Sequence, residues 1–353
     1  MTTPAAPHRV ALIGFGKAGA GIHAPLIQAT PGLELTHIVT ADPQRRAAAG
    51  QRYPEARVVS SVDELWRLSG QIDTVVVASP HAHHVEAATA ALERGLATVV
   101  DKPLARTVQE AAPLLELAAR TGAPLTVFHN RRWDTDFLTA VATMQAGLLG
   151  DVVRWESRFE RWRPQVVGGW RDNAADQGGG LLLDLLTHLV DQAVVALGPV
   201  TSVYAELACV RPGALAEDDV LLALRHTSGA QSTLWAGLLA AAPAPRLRVV
   251  GTRASLQKDG LDWQEDALKA TGSAGALTGP APAGEGGLLY DGQQAVPLTA
   301  AGGSWLEFYR RWERTLSGGD PVPVRAEEAL AVLAVTDAAR VSAREQRVVR
   351  LTG

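Results

Sequence analysis

The stretch that most constrains this chain is Val10-Ala11-Leu12-Ile13-Gly14-Phe15-Gly16-Lys17-Ala18-Gly19. Four consecutive apolar residues read as a strand buried on both faces of a parallel sheet. A Gly-x-Gly-x-x-Gly turn follows, and a helix is expected through Ala20–Ala29. Gly14 lets the chain turn sharply out of the strand, Gly16 leaves room for a pyrophosphate to approach the backbone, and Gly19 lets the helix pack closely on the strand. The helix start adds free N–H groups and the positive end of a dipole. The spacing also occurs in turns that bind nothing; the strand before it and the helix after it are the context that phosphate binding requires. The loop residues Phe15, Lys17 and Ala18 then join the three glycines as candidate cofactor contacts.

The segments that follow alternate strand and helix at short intervals, the pattern of a doubly wound parallel sheet. Strands are expected at Leu33–Thr40, Ile72–Ala78, Ala97–Val100 and Pro124–Phe128. Asp42-Pro43, Ser61-x-x-Glu64 and Thr107-x-x-Glu110 mark helix starts, and Gly95 stops a helix over Val85–Arg94. Beyond Val152 the pattern changes to longer strand-like runs: Val152–Trp162, Val200–Val210, Val220–His226, Gln231–Leu239 and Arg246–Gly251. Among them lies one strong helix, Leu181–Leu197. The expected fold class is therefore α/β: an N-terminal Rossmann domain over 1–128 and a C-terminal α+β domain over 129–353 with a large, mostly antiparallel sheet. Residues 267–287, rich in Gly, Ala, Thr and Pro, read as a surface loop. Helices near Ser304–Ser317 and Ala326–Arg344 close the chain, and the last can pack back on the first domain.

Composition narrows the class of partner. A formal net charge of −4 over 353 residues offers no footprint for nucleic acid. The single Cys209 suits a reducing compartment and allows no internal disulfide. No apolar leader precedes the first strand, and Leu181–Leu197 is interrupted by Asp184, His188, Asp191 and Gln192, so it reads as a buried helix rather than a membrane span. A soluble, cytoplasmic protein is the expectation.

Ligands of an open parallel sheet bind beyond the carboxyl ends of its strands. The second such loop is Thr40-Ala41-Asp42-Pro43-Gln44-Arg45-Arg46. An acidic residue there usually meets a ribose 2′-hydroxyl, whereas arginine holds a 2′-phosphate. Thr40 with Arg45 and Arg46 favours NADP over NAD, although Asp42 could still reach a hydroxyl. The third loop, Ser79-Pro80-His81-Ala82-His83-His84, has three imidazoles but no cysteine or carboxylate beside them. No metal site is expected. Ser79 and Pro80 read as a wall beside the nicotinamide, with His81 and His84 next to it. The fourth, Asp101-Lys102-Pro103, is either a surface ion pair or a lysine aimed into the crevice.

The sharpest signal in the second half is Gly178-Gly-Gly180-Leu-Leu-Leu-Asp184-Leu-Leu-Thr-His188-Leu-Val-Asp191-Gln192. At about 100° per residue, Asp184, His188 and Asp191 fall within about 60° of one another. A narrow polar stripe on an otherwise apolar helix must pair inside the protein or line a cavity. His188 is either a satisfied core histidine or a general base held near Asp184.

These motifs, in this order, resemble the glucose–fructose oxidoreductase/inositol dehydrogenase (Gfo/Idh/MocA) family of oxidoreductases. The resemblance covers nearly the whole chain and rests most on Lys102-Pro103 and Asp184-x-x-x-His188. Family members usually carry Glu-Lys-Pro, so Asp101 shortens that carboxylate by a methylene. His23-Ala24-Pro25, the Phe128-His-Asn130-Arg-Arg-Trp133 run and the Asp191-Gln192 ending look most like the NADP-dependent scyllo-inositol dehydrogenase branch. The resemblance implies hydride transfer between a nicotinamide cofactor and a carbinol carbon of a cyclitol or sugar. His188 would be the general acid/base oriented by Asp184, with Lys102 on the reacting oxygen. Asn130 joins the cofactor contacts; His23, Trp162 and Arg163 face the substrate. A homodimer or homotetramer through the second sheet is also implied. Rivals are another sugar or keto-sugar dehydrogenase on the same scaffold and a non-catalytic, nucleotide-binding regulator.

Overall fold

The computed structural model describes residues 6–168, 174 and 177–351. Six strands form a parallel sheet: β1 (His8–Ile13), β2 (Leu33–Val39), β3 (Arg57–Val59), β4 (Thr74–Val77), β5 (Ala97–Asp101) and β6 (Leu125–Phe128). Their order is β3-β2-β1-β4-β5-β6, the doubly wound arrangement in which the strand order reverses beside β1. Val10, Ala11 and Leu12 are fully buried, as are Val75 to Val77, because helices cover both faces. The N-caps fall where the sequence places them: Asp42, Ser61 and Thr107 each accept a backbone N–H three residues on. Gly95, at φ +70°, ends the helix over His84–Leu92. β3, only three residues long, has no counterpart among the expected strands.

The second sheet has nine strands: β7 (Val152–Glu160), β8 (Val200–Ala208), β9 (Asp219–His226), β10 (Gln231–Gly237), β11 (Leu247–Gly251), β12 (Ser255–Lys258), β13 (Leu288–Tyr290), β14 (Ala295–Pro297) and β15 (Val349–Arg350). The order is β14-β13-β12-β11-β7-β10-β9-β8-β15, and only the β7–β10 pair is parallel. Trp155 and Phe159 point from β7 into a core shared with the helical segment Leu182–Leu197, which carries the candidate site residues, and with the long helix Ala326–Glu345.

Three expectations are corrected. Thr135–Gln145 forms a helix that the reading left unassigned. The first part of 267–287 is not a surface loop. Helix Gln264–Thr271 and a 3₁₀ turn at Ala274–Leu277 bury Leu268, Ala274 and Leu277 in the core of the first sheet. The Leu181–Leu197 helix is two pieces, a π-helical turn Leu182–Leu186 followed by α-helix Thr187–Leu197.

Both closing helices reach the first sheet. Trp305, Phe308, Tyr309 and Trp312 are fully buried against it, with Trp312 Nε1 donating to Thr74 Oγ1 at 3.2 Å. On the last helix, Ala329 and Leu333 face the first core while Val332, Val335 and Ala339 face the second. No helix among the described residues is long and apolar enough to cross a membrane.

Candidate active site

A cleft of about 1320 Å³ runs from the glycine loop, across the ends of β1, β4 and β5, to the start of the site helix and the chain leaving β7. The glycines do different work. Gly14 sits at φ +101°, and a Cβ there would lie 2.5 Å from the Ala78 carbonyl oxygen. A Cβ on Gly19 would run into the Gly14 carbonyl. On Gly16 it would meet only the Arg45 guanidinium, at 3.9 Å, so the missing side chain leaves open cleft. That open cradle in a doubly wound sheet fits a dinucleotide pyrophosphate. Phe15, Lys17 and Ala18 line the cleft beside it, and Gly19 is not part of the lining.

At the end of β2, Thr40, Asp42 and Arg45 line the cleft. The Asp42 carboxylate caps its helix, accepting from the Arg45 N–H at 2.8 Å. Arg46 is not part of the lining and turns back to the Ala41 carbonyl, at 3.4 Å. Ser60, Ser61 and Val62 also line this end, so Ser61 both caps its helix and faces the cleft.

Ser79, Pro80 and His81 form the wall at the end of β4. The buried His81 ring meets the Gly178 carbonyl at 3.0 Å, and burial is the main cause that lowers its pKa to about 3. His84 stands behind this wall, fully buried, with Nδ1 at 2.8 Å from the Pro103 carbonyl and Nε2 at 2.9 Å from the Ser79 carbonyl. Burial pushes its pKa down against the pull of Asp101 and both carbonyls. Among the described residues no group of three or more His, Cys, Asp or Glu is arranged to hold a metal ion.

Asp101 and Lys102 end β5 and line the cleft; the Lys102–Pro103 peptide is cis. Burial works to raise the Asp101 pKa, but His23, Lys102 and His84 outweigh it and hold it at about 2. The Lys102 N–H donates to Asp101 Oδ1 at 2.8 Å. Lys102 Nζ donates to the Asp184 backbone carbonyl and lies 3.3 Å from its carboxylate.

Asp184 lines the cleft from the π-helical turn; His188 lies one step deeper, 7% exposed. The expected Asp184–His188 hydrogen bond is not formed: Asp184 engages Lys102, and the buried Nδ1 of His188 has no hydrogen-bond partner among the described residues. Burial, followed by the charges of Lys102 and Arg131, pushes the His188 pKa well below its ordinary value. The imidazole is therefore neutral at neutral pH. Asp191 faces Arg132 instead, accepting from its Nε at 2.9 Å and its Nη2 at 2.6 Å.

Three further expected contacts lie outside the cleft lining. His23 does not face the substrate side. It is fully buried, with Nδ1 2.7 Å from the Tyr309 hydroxyl and Nε2 3.6 Å from Asp101 Oδ2, and it braces the carboxylate from behind. Asn130 is buried at the start of a 3₁₀ turn and is not part of the cleft lining. Trp162, 58% exposed, also falls outside it. Arg163 does line the cleft, together with Arg161. A period of two puts both arginines on one face, so the choice of Arg163 already implied Arg161. Glu217 was missed; it lines the cleft and accepts the Leu182 N–H at 3.1 Å.

A dinucleotide cradle, a lysine at a strand end and a buried neutral imidazole one step behind Asp184 fit an oxidoreductase that uses a nicotinamide dinucleotide. Residues 8–129 match the family model described as the oxidoreductase family with an NAD-binding Rossmann fold, and residues 137–257 match the GFO/IDH/MocA C-terminal domain. The chain belongs to the Gfo/Idh/MocA family and is an NAD(P)-dependent dehydrogenase. It is 37% identical to the uncharacterized oxidoreductase YdgJ of Escherichia coli over 96% of this chain and 97% of that one. Identity to the scyllo-inositol 2-dehydrogenase (NADP(+)) IolW of Bacillus subtilis is 31%, over 97% and 96%. Among solved structures, the Bacillus subtilis oxidoreductase yvaA matches with a TM-score of 0.90 at 29% identity, covering 99% of this chain and 100% of that one.

Proposed function

We propose that the protein oxidises a ring carbinol of a cyclitol or sugar to the ketone, and catalyses the reverse, with NADP as the preferred cofactor. The observation that carries this is the meeting of Lys102, from the end of β5, with Asp184 in the turn that leads to His188. The cofactor, when bound, accepts or delivers the hydride at its nicotinamide. Neutral His188 takes the hydroxyl proton, and Lys102 donates a hydrogen bond to the same oxygen as negative charge develops there. Asp184 acts on Lys102, holding the ammonium in place. Arg161 and Arg163 face the polyol. The NADP preference rests on Arg45 at the cleft beside Gly16, with the Asp42 carboxylate engaged in capping. Residues 1–128 serve as the dinucleotide domain and 129–353 as the substrate domain. The open face of the second sheet is the homo-oligomer interface, and the protein works in the cytoplasm.

The test is reduced-nicotinamide absorbance on mixing the protein with NADP or NAD and a panel of inositols, aldoses and glycosides. Turnover of a polyol, faster with NADP, is expected. Tight cofactor binding with silence across the panel would favour a nucleotide-binding regulator.

A further inference from the structure

Arg161 and Arg163, which follow the end of β7, line the cleft and make no side-chain hydrogen bond or ion pair among the described residues. We propose that the polyol substrate carries an oxyanion, a phosphate monoester or a carboxylate, which Arg161 and Arg163 hold while a carbinol of the same ring lies at Lys102. This names the substrate class of the dehydrogenase site and rests on that reading.

The segment is fixed by its backbone, which leaves both guanidiniums to the cleft. The Arg161 N–H donates to the Gly237 carbonyl at 2.9 Å and the Arg163 N–H to the Leu238 carbonyl at 2.7 Å, carrying the β7–β10 pairing past the end of both strands. Buried Arg211 adds a brace: its Nη1 donates to the Arg163 and Gln165 carbonyls at 3.3 and 3.1 Å, and its Nε donates to Asp218 at 2.7 Å. Alternation then turns Trp162 out of the lining and both arginines into it.

The acids on this side of the cleft are engaged elsewhere. Asp184 faces Lys102 at 3.3 Å, and Asp218 takes Arg211. Glu265 takes Arg131 at 2.8 Å and Lys269 at 2.7 Å, while Glu217 accepts the Leu182 N–H at 3.1 Å. Arg161 is half-buried; burial works against its charge more than Glu265 supports it, and Arg163 and Arg131 add like-charge repulsion. Holding a charge partly out of water without a counter-ion is unfavourable, and an oxyanion offsets that through paired N–H···O bonds. A phosphate monoester carries roughly −1.5 to −2 at neutral pH, a match for two such cations.

The anion would sit near the reacting carbon. Arg161 Cζ lies 5.9 Å from the centre of the Phe159 ring, and the His188 ring centre lies 6.3 Å from the same point. One aromatic ring thus separates the guanidinium from the imidazole, a span that one substituted sugar or cyclitol ring covers.

Matched substrates test this by reduced-nicotinamide absorbance: glucose against glucuronate and glucose 6-phosphate, and myo-inositol against its monophosphate. The best anionic member should exceed its neutral parent roughly 100-fold or more in kcat/KM, as expected of two charge-assisted contacts, and its identity tells phosphate from carboxylate. Arg161→Gln and Arg163→Gln should each erode that preference roughly tenfold or more, chiefly through KM, and Arg161→Lys should erode it less. A preference for the neutral parents, or variants that slow parent and anion alike, would overturn the proposal. So would a matching loss of NADPH affinity, which would assign the arginines to the cofactor.

A second arm needs no turnover. With NADPH saturating, phenylglyoxal labelling of exposed Arg163 is followed by peptide mass spectrometry, with exposed Arg344 as internal standard. An anionic member of the panel should slow Arg163 labelling roughly fivefold or more at a concentration where its neutral parent has little effect. Equal labelling with and without the anions would overturn the proposal. If nothing in the panel is turned over, the dehydrogenase reading fails, while protection of Arg163 still decides the anion site.

Discussion

The three glycines of the β1 turn are interchangeable in a sequence motif and not in this structure, which makes Gly14→Ala, Gly16→Ala and Gly19→Ala a sharp set of perturbations. At Gly14 the new methyl would lie 2.5 Å from the Ala78 carbonyl on a backbone at φ +101°. The dihedral strain costs on the order of 1–3 kcal/mol, and forcing a backbone carbonyl aside adds about 1–3 kcal/mol more. At about 2–4 °C per kcal/mol for a large domain, a fall in Tm on the order of 10 °C is expected. Gly19→Ala drives its methyl into the Gly14 carbonyl and should behave similarly.

Gly16→Ala is the opposite case. Its methyl finds only the end of the Arg45 side chain at 3.9 Å, and replacing glycine at a compatible backbone position stabilises by about 0.4–1 kcal/mol through the unfolded chain. Tm should hold or rise slightly, while NADPH affinity falls roughly 100-fold, about 2.7 kcal/mol, because the methyl occupies the pyrophosphate's approach. The assay is thermal unfolding of the three variants without cofactor, paired with NADPH titration by calorimetry. A Gly16→Ala variant that binds NADPH normally, or a Gly14→Ala variant that melts with the unaltered protein, would refute the reasoning.

Lys102→Ala should lower kcat by about 10²–10⁴-fold with the dissociation constant for NADPH little changed; loss of cofactor binding instead would move Lys102 out of the chemistry. Arg45→Gln should weaken NADPH more than NADH in titration, whereas Arg46→Gln, outside the cleft lining, should alter neither. Arg45 and Arg46 are adjacent in one motif and only Arg45 lines the cleft, so this single-site contrast tests the structure directly. His81 is neutral in the fold down to about pH 3, while the unfolded imidazole protonates near about 6.5. The unfolded state therefore binds more protons between those values, and stability falls as pH drops from about 6.5 to about 3. Urea unfolding of His81→Gln should show a shallower loss across that window, and an unchanged slope would remove His81 from the acid response.

What was legible depended on whether the determining interactions were local. The first sheet was readable because continuous apolar runs such as Val75–Val77 and side-chain caps such as Thr107 lie within a few residues of the structure they specify. The three-residue β3, opening on exposed Arg57, offers no run long enough to register. Phe137, Ala140 and Val141 in Thr135–Gln145 do carry helical spacing, so that omission was a missed signal. Leu268, Ala274 and Leu277 are different: their order comes from packing on the distant first core, and nothing in a stretch rich in Gly, Ala and Pro announces it. The same holds at the site. The glycine turn and the Asp184/His188 stripe are local patterns. The Lys102–Asp184 contact spans 82 positions and the His23–Tyr309 hydrogen bond 286, and only the assembled domains set them.

The departure of Asp184 from its expected partner changes the electrostatics of the proposed chemistry. A carboxylate hydrogen-bonded to an imidazole raises its pKa and orients it, at the cost of competing for its proton. Here Asp184 instead faces the Lys102 ammonium at 3.3 Å and offsets part of the cost of burying that charge. His188 is left beside Lys102, Arg131 and Arg246, and is held neutral first by burial and then by those positive neighbours. A neutral imidazole can accept a hydroxyl proton at any pH in the neutral range. Once protonated beside several cations, it gives that proton up readily. With His188 as the proposed proton acceptor, the acidic limb of a kcat/KM profile should lie well below the usual histidine range. Converting Arg246 to methionine should move that limb upward, whereas lysine, which keeps the charge, should move it less.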